Sequence, residues 1–303
     1  MIVTVTPNPA LDITYTVSRF RLHTTHRVAE VAEQAGGKGV NVARVLHTLG
    51  HRTTAVLPLG GATGATVEAD LVRSGIPHLR VPIDGETRRT VAVADTIDTT
   101  MLNEAGPEVG VAEWAALCGR VRDLLPETRV LVVSGSLPRG LPEDACADLV
   151  RLARDLGVPV ILDADGPVLR AGLAAQPTVV KPNAAELIAA TGIQDPAEAA
   201  TALLAAGSEA VVASLGPDGL LAATPEGCFR ARPPERVVGN TAGAGDAVVA
   251  ALAAGLADGA AWSDMLGNAV ALSAATVLAP RAGAFDPDAY RRFTAAMTRA
   301  TST

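Results

Sequence analysis

Apolar and polar residues follow two rhythms along this 303-residue chain, and the change of rhythm divides it. The opening "MIVTVTPN" reads as a short buried strand closed by a Pro/Asn turn. "ITYTV" (Ile13–Val17) and "RVAEVAE" (Arg27–Glu33) then alternate with period two, as strands wet on one face do. "GGKGVNVARVLHTLG" predicts a glycine turn feeding a helix, with Val42, Val45, Leu46 and Leu49 on one side and Gly50 as its stop. A second strand-rich patch covers Arg89–Asp95 and Thr99–Asn103.

From Glu113 onward the pattern is regular. Helix Glu113–Leu125 leads to strand "RVLVVSG", and helix Glu143–Leu156 to strand "PVILDAD". The short strand "PTVVKPN" precedes helix Ala184–Thr191, and helix Ala197–Ala206 precedes strand "AVVASLG". Apolar strands alternating with amphipathic helices imply an α/β fold, its mostly parallel central sheet flanked by helices on both faces. The early patches, about 12–34 and 86–103, break that rhythm and are expected to form a small β-sheet lid. No linker separates them, so residues 1–303 are expected to be one domain. Met101 and Leu102 are assigned to packing within the lid, and Trp114 and Trp262 to packing on helices.

Composition narrows the class. Hydrophobic residues are 49% and charged ones 19%, which favours a packed core over disorder. Aromatics are only 3%, so Ala, Val and Leu must do most of the packing. A net charge of −7 argues against a nucleic-acid partner, and leaves room for a small anion held by local Arg and Lys. Cys118, Cys146 and Cys228 form no CxxC pair, which fits reduced thiols better than zinc or disulfides. The N-terminus lacks the charged leader and apolar stretch of a signal peptide. Apolar runs such as Ala247–Ala257 are too short to span a bilayer. The expectation is a cytoplasmic protein with no membrane partner.

Ligands of open α/β sheets bind beyond the carboxyl ends of the strands. Five polar or glycine-rich turns fall there: "TPNPALD", "SGSLPRG", "KPNAAE", "SLGPDG" and "NTAGAGD". In the last, Gly243 and Gly245 let backbone amides point into one concavity at a helix start, an anion site. Asp246 follows in the first helical turn, where the dipole favours its ionised form. It is equally a helix cap or a catalytic base. An anion hole beside a base is what phosphoryl transfer to a hydroxyl requires. Asn183 and Glu186, three apart, suit either a hydrated Mg²⁺ or a cap with a first-turn acid. Gly36–Asn41 offers close backbone approach, a cation and an amide to sugar hydroxyls or phosphate. Asp12 is placed to accept hydroxyl hydrogen bonds or to close an Asx turn. Rival motifs fail. The P-loop pattern is broken by Ala32 and Gly39, and GxGxxG after a strand, HExxH and GxSxG are all missing. His23, His26, His47, His51 and His78 show no metal spacing and read as surface residues.

"NPALD", "GGKGVNVARVL", "SGSLPRGLP", "KPNAAEL", "SLGPDG" and "NTAGAGDA", in that order from Asn8 to Ala247, together resemble the PfkB/ribokinase-like carbohydrate kinases. "TVTPNPALD", "NEAGP" and "SGSLPRGLP" look most like the branch of 1-phosphofructokinases and tagatose-6-phosphate kinases. The resemblance implies a ribokinase-like fold, with Asp246 as base and Gly243, Ala244 and Gly245 as anion hole. It implies sugar contacts at Asp12, Gly36, Gly37, Lys38, Asn41 and Ser136. Arg27, Arg88 and Arg139 match basic positions of phosphosugar kinases, whereas free-sugar kinases also carry the lysine matched by Lys38. Lys181, Asn183, Ser214, Gly216 and Gly219 match the ATP side, and Asn183 with Glu186 matches a Mg²⁺ element acting through water. A monovalent cation near Asn240–Ala242 and Thr276–Gly283 stays open, and the lid is expected to make a homodimer.

The implied reaction is ATP-dependent phosphorylation of a sugar phosphate, first D-fructose 1-phosphate to fructose 1,6-bisphosphate. Tagatose-6-phosphate kinase, 6-phosphofructokinase and a non-catalytic sugar-phosphate sensor are the alternatives. Two departures bear on this. Thr90 stands where several phosphofructokinase relatives have Asn, and "NTAGAGDA" differs from the Val-Gly-rich run of the branch.

Overall fold

The computed structural model describes the backbone of residues 1–301 and the side chains of 1–297. The chain opens with β1 (Ile2–Val5), then two strands of a small sheet, β2 (Ala10–Thr16) and β3 (Glu30–Gly36), then α1 (Lys38–Thr48). β4 (Thr53–Leu59), α2 (Gly61–Arg73) and β5 (His78–Pro82) precede the other small-sheet strands, β6 (Arg88–Ala94) and β7 (Thr99–Asn103). Alternation then runs through α3 (Val111–Leu124), β8 (Val130–Ser134), α4 (Ala145–Arg154), β9 (Val160–Asp163), α5 (Gly166–Leu173) and β10 (Val179–Val180). α6 (Ala184–Thr191), α7 (Pro196–Ala205) and β11 (Ala210–Ser214) follow, then the hairpin β12 (Leu220–Thr224) and β13 (Gly227–Ala231). Helices α8 (Ala244–Asp258), α9 (Trp262–Val277) and α10 (Pro287–Thr301) come last.

The nine-stranded sheet has the order β13-β12-β11-β10-β9-β8-β1-β4-β5. It is parallel from β5 to β11. β12 and β13 add an antiparallel edge. Successive side chains of a strand feed opposite faces. Leu131, Val133 and Leu162 join Leu117, Leu149 and Leu169 on one side. Val130, Val132 and Ile161 join Val45, Val248 and Leu252 on the other. The scarcity of aromatics shows in helix spacing, because a Cβ on Gly255 of α8 would strike the Met265 side chain of α9.

Segment Thr53–Pro82, which the periodicity left unassigned, is strand, helix and strand. Gly61 and Gly64 weaken the helical signal of α2. The fold needs Gly64, whose Cβ would lie 2.9 Å from Thr87 Oγ1 and 3.1 Å from the Leu59 carbonyl carbon. Helix α5 and the β12–β13 hairpin are likewise elements that the periodicity does not predict.

The small sheet has the order β3-β2-β6-β7, wider than the expected 12–34 and 86–103 by two residues at each end of the first patch. Directly paired residues share a face. Asp12 pairs with Gln34 and Thr90, and Thr90 with Asn103, which makes one face polar. The other carries Leu11, Ile13 and Val91 and packs on Val67 and Leu71 of α2. Met101 and Leu102 do not pack within this sheet as expected. They are 50% and 58% exposed, because β7 is an edge strand beyond the cover of α2. Trp114 is buried, and Trp262 packs half-buried on the α8–α9 core.

The root of the small sheet hangs on Asp70 of α2. Its Oδ2 accepts from the Ala35 amide at 2.8 Å and from Arg44 Nη2 at 3.0 Å, and its Oδ1 accepts from Arg73 Nη2 at 3.1 Å. Breaking a buried pair leaves its partner uncompensated. Asp70→Ala is expected to lower the unfolding free energy by about 3–5 kcal/mol, read by urea denaturation.

Candidate active site

Two cavities meet at the carboxyl ends of the parallel strands, beneath the polar face of the small sheet. The larger, about 760 Å³, is bounded by Lys38, Asp163, Lys181, Asn183, Glu186, Ser214, Gly216, Gly219 and Gly243–Asp246. Part of its wall is apolar, with Val248, Val270 and Val277. The smaller, about 420 Å³, is bounded by Asn8, Lys38, Arg88, Asn103, Glu104, Ser136 and Asp165. Lys38, the first residue of α1, borders both.

Helix α8 begins at Gly243 with φ +82°, a conformation that side chains rarely adopt, and a Cβ there would sit 3.0 Å from Ala282 Cα. The chain therefore turns into the helix with its first amides bordering the large cavity. Asp246 lies in that first turn, 7% exposed, and its Oδ2 accepts from Asn41 Nδ2 at 2.8 Å. The helix dipole was expected to favour its ionised form. Instead burial, together with the charge of Asp163, pushes the carboxyl up to about 6, against the pull of Asn41, Lys38 and Lys181.

Asp163, at the end of β9, went unnoticed in the sequence. Its Oδ2 accepts from Ser134 Oγ at 2.8 Å, and its Oδ1 lies 3.3 Å from Lys181 Nζ and 3.5 Å from Lys38 Nζ. Burial opposes its charge, but the two ammoniums and the serine hydroxyl hold it below the ordinary carboxylate value. Burial also works against the charge of Lys38, yet the carboxylates of Asp163, Glu186, Asp246 and Asp165 raise its affinity for the proton. The signal available was the first acid of "PVILDAD", Asp163, directly after the apolar run of that strand.

The remaining candidates divide. Asn183 and Glu186 cap α6 reciprocally: Asn183 Oδ1 accepts from the Glu186 amide at 2.9 Å, and Glu186 Oε2 from the Asn183 amide at 2.8 Å. The capping alternative is thus realised, while both residues still border the large cavity. Among the described residues no three His, Cys, Asp or Glu groups gather as a metal site. A carboxylate with one oxygen spent on a cap suits an ion that keeps most of its water.

Arg88 borders the small cavity, but its Nε donates to the Asn8 carbonyl and its Nη1 to the Glu104 carbonyl. Arg139 Nε donates to the Gly106 carbonyl, and neither Arg139 nor Arg27 borders either of these two cavities. Arg27 lies exposed between β2 and β3. Ser136 Oγ accepts from Asn8 Nδ2 at 3.3 Å beside that pocket. Asp12 stands against Gly36, whose missing Cβ leaves space for the carboxylate. Burial pushes its carboxyl up to about 6, against Arg88 and a hydrogen bond to Thr90. Gly37, with φ +103°, opens α1 directly over the end of β1. Asn240 Nδ2 donates to the Pro280 carbonyl, joining the two segments considered for a cation.

Comparison with known proteins gives this geometry a context. The model of the pfkB family of carbohydrate kinases matches residues 6–289. Tagatose-6-phosphate kinase of Staphylococcus epidermidis is 34% identical over 298 residues, covering 96% of each chain. The structure of phosphofructokinase-2 from Escherichia coli, in a tetrameric inhibited form, superposes with a TM-score of 0.92 at 30% identity, covering 98% of this chain and 99% of that one. A possible 1-phosphofructokinase from Thermotoga maritima superposes with a TM-score of 0.88 at 28% identity, covering 97% of each. With a ribokinase-like fold and a family match across nearly its whole length, the chain belongs to the pfkB family of carbohydrate kinases.

Proposed function

We propose that this sugar kinase phosphorylates a ketohexose monophosphate with ATP, and that fructose 1-phosphate is its first substrate. The observation that carries the reading is Asp246, buried at a glycine-opened helix start on the wall of the large cavity, with Lys181 on the same wall and Lys38 where that cavity meets the small one. ATP would occupy the large cavity, its base toward Val248, Val270 and Val277 and its phosphates toward Gly243–Gly245. The sugar phosphate would occupy the small one, with Lys38 and Arg88 as its cations, and Asp12 and Asn41 near its hydroxyls. Tagatose 6-phosphate is the second reading, favoured by the 34% identical relative.

The substrate's free primary hydroxyl would give its proton to Asp246 as its oxygen bonds to the γ-phosphorus and the bond to ADP breaks. The α8 amides would offset charge on the transferred group. Mg²⁺, near Asn183 and Glu186 through water, would neutralise nucleotide phosphate charge. The polar face of the small sheet, with Asp12, Thr90 and Asn103, would close over the sugar and exclude water. In this reading residues 1–303 work as one kinase unit with that sheet as lid. The lid also suits a homodimer contact: of the eleven exposed large hydrophobics among the described residues, Leu22, Val28, Val31, Ile97, Met101 and Leu102 lie on it.

ADP release measured with fructose 1-phosphate, fructose 6-phosphate, tagatose 6-phosphate and free sugars is expected to be fastest with the first. No turnover with any of them would leave a sensor. Asp246→Asn is expected to lower kcat about 10²–10⁴-fold while sugar-phosphate binding survives in calorimetry. In the wild type, kcat should fall on the acid side with a midpoint near pH 6, where Asp246 takes up its proton.

Stability should move the other way. The folded value lies above the ordinary 3.8, so the stability this group contributes is complete below that value and lost as pH rises through about 6. Asp246→Asn is therefore expected to be about 2–3 kcal/mol more stable than wild type at pH 8, with no gain at pH 3.5. Met101→Asp with Leu102→Asp should shift the sedimentation coefficient from dimer to monomer.

A further inference from the structure

Asp163 has no task in the reaction as drawn, yet the fold keeps it ionised and 1% exposed among two ammoniums. Buried ion clusters contribute little net stability against apolar residues of similar volume, so stability alone is a weak reason for this one. Its placement is tightly specified. Ser134 and Asp163 are register partners on adjacent strands, and the Gly135 amide donates to the Asp163 carbonyl at 3.0 Å. With Oδ2 held by Ser134, Oδ1 is left to the two ammoniums, 3.3 Å from Lys181 Nζ and 3.5 Å from Lys38 Nζ.

Each lysine reaches a different part of the site. Lys181 Nζ lies 3.5 Å from where a Cβ on Gly245 would be, beside the start of α8. Lys38 stands where the two cavities join. The charged groups facing Asp246 are Asp163, Lys38 and Lys181, and Lys38 also faces Glu186 and Asp165. Two carboxylates, Asp163 and Asp246, thus compete for the same two ammoniums. Without Asp163, the ammoniums would turn to Asp246 and pair with the group meant to accept a proton.

We propose that Asp163 is a positioning residue for the phosphoryl transfer, holding Lys38 and Lys181 off Asp246, with Lys181 on the wall of the large cavity and Lys38 where the two cavities meet. The inference rests on the kinase reading and deepens it. The lysines stay available to the charge of the phosphoryl group, and Asp246 keeps a like charge as neighbour, which preserves its basicity.

The test is the pH profile of kcat for Asp163→Asn, beside Lys181→Met and the double variant. Asp163→Asn is expected to lose about 100-fold in kcat with KM for the sugar phosphate within a few fold. Its acid limb should move down by a unit or more, because Asp246 has lost a like charge and gained two cations. Lys181→Met should also lose kcat, with its acid limb moved up. The double variant, which removes one charge of each sign, should return the limb close to wild type while kcat stays low. A folded Asp163→Asn with wild-type kcat, or with an unmoved limb, overturns the proposal. If that variant does not fold, a limb that fails to rise in Lys181→Met, or fails to return in the double variant, overturns it instead. A wild type inactive on every sugar phosphate overturns the kinase reading and this proposal with it, whereas an active wild type with unresponsive variants sinks the proposal alone.

Discussion

Burial of helix α8 along most of its length is the constraint on which the site depends. Ala247 through Ala253 are all buried between the central sheet and α9, so the helix has no freedom to slide or tilt. Its first turn, with the glycine amides and Asp246, continues directly into that buried stretch. The anchoring carries a penalty, because a carboxylate at the end of so apolar an element is largely shut off from water. The neighbouring lysines, Asn41 and the helix start only partly compensate, and the group keeps its proton to a higher pH than a surface aspartate. The same burial that fixes the amides sets the basicity of the acid beside them.

Around that point the fold works by pairs of elements that meet at a single residue. Asp70 ties α2 to the end of β3 through Ala35 and to α1 through Arg44. Gln34, on the polar face of the lid, donates to the Ala282 carbonyl, and Ala282 packs on Gly243. Asn8 reaches both Ala105 and Ser136, and Arg88 holds the Glu104 carbonyl, so the strap after β7 lies across the small cavity. Expected as free phosphate ligands, Arg88 and Arg139 spend hydrogen bonds on backbone carbonyls of that strap and its surroundings.

Much of this was legible in the sequence because it is local. The glycine turn before an apolar helix, the Asn-x-x-Glu cap and the alternating strands each declare themselves within about ten residues. Thr53–Pro82 did not, since its helix contains glycines that close packing demands and propensity disfavours. Asp163 was hidden for a different reason. Its partners Lys38 and Lys181 come from distant parts of the chain and meet it only because β9 and β10 are neighbours in the sheet and α1 starts over β1. The direction of the Asp246 shift was illegible as well: the dipole is a property of one helix, while burial and the charge of Asp163 belong to the whole fold.

The scarcity of aromatic residues has an optical consequence. Neither tryptophan borders either pocket, Trp114 being buried on α3 and Trp262 lying at the start of α9. Indole emission is therefore expected to report the packing of the helical layers. A tryptophan introduced at Asn103, which borders the small cavity on the polar face of the small sheet, would stand out against that background and give the sugar side of the site its own signal.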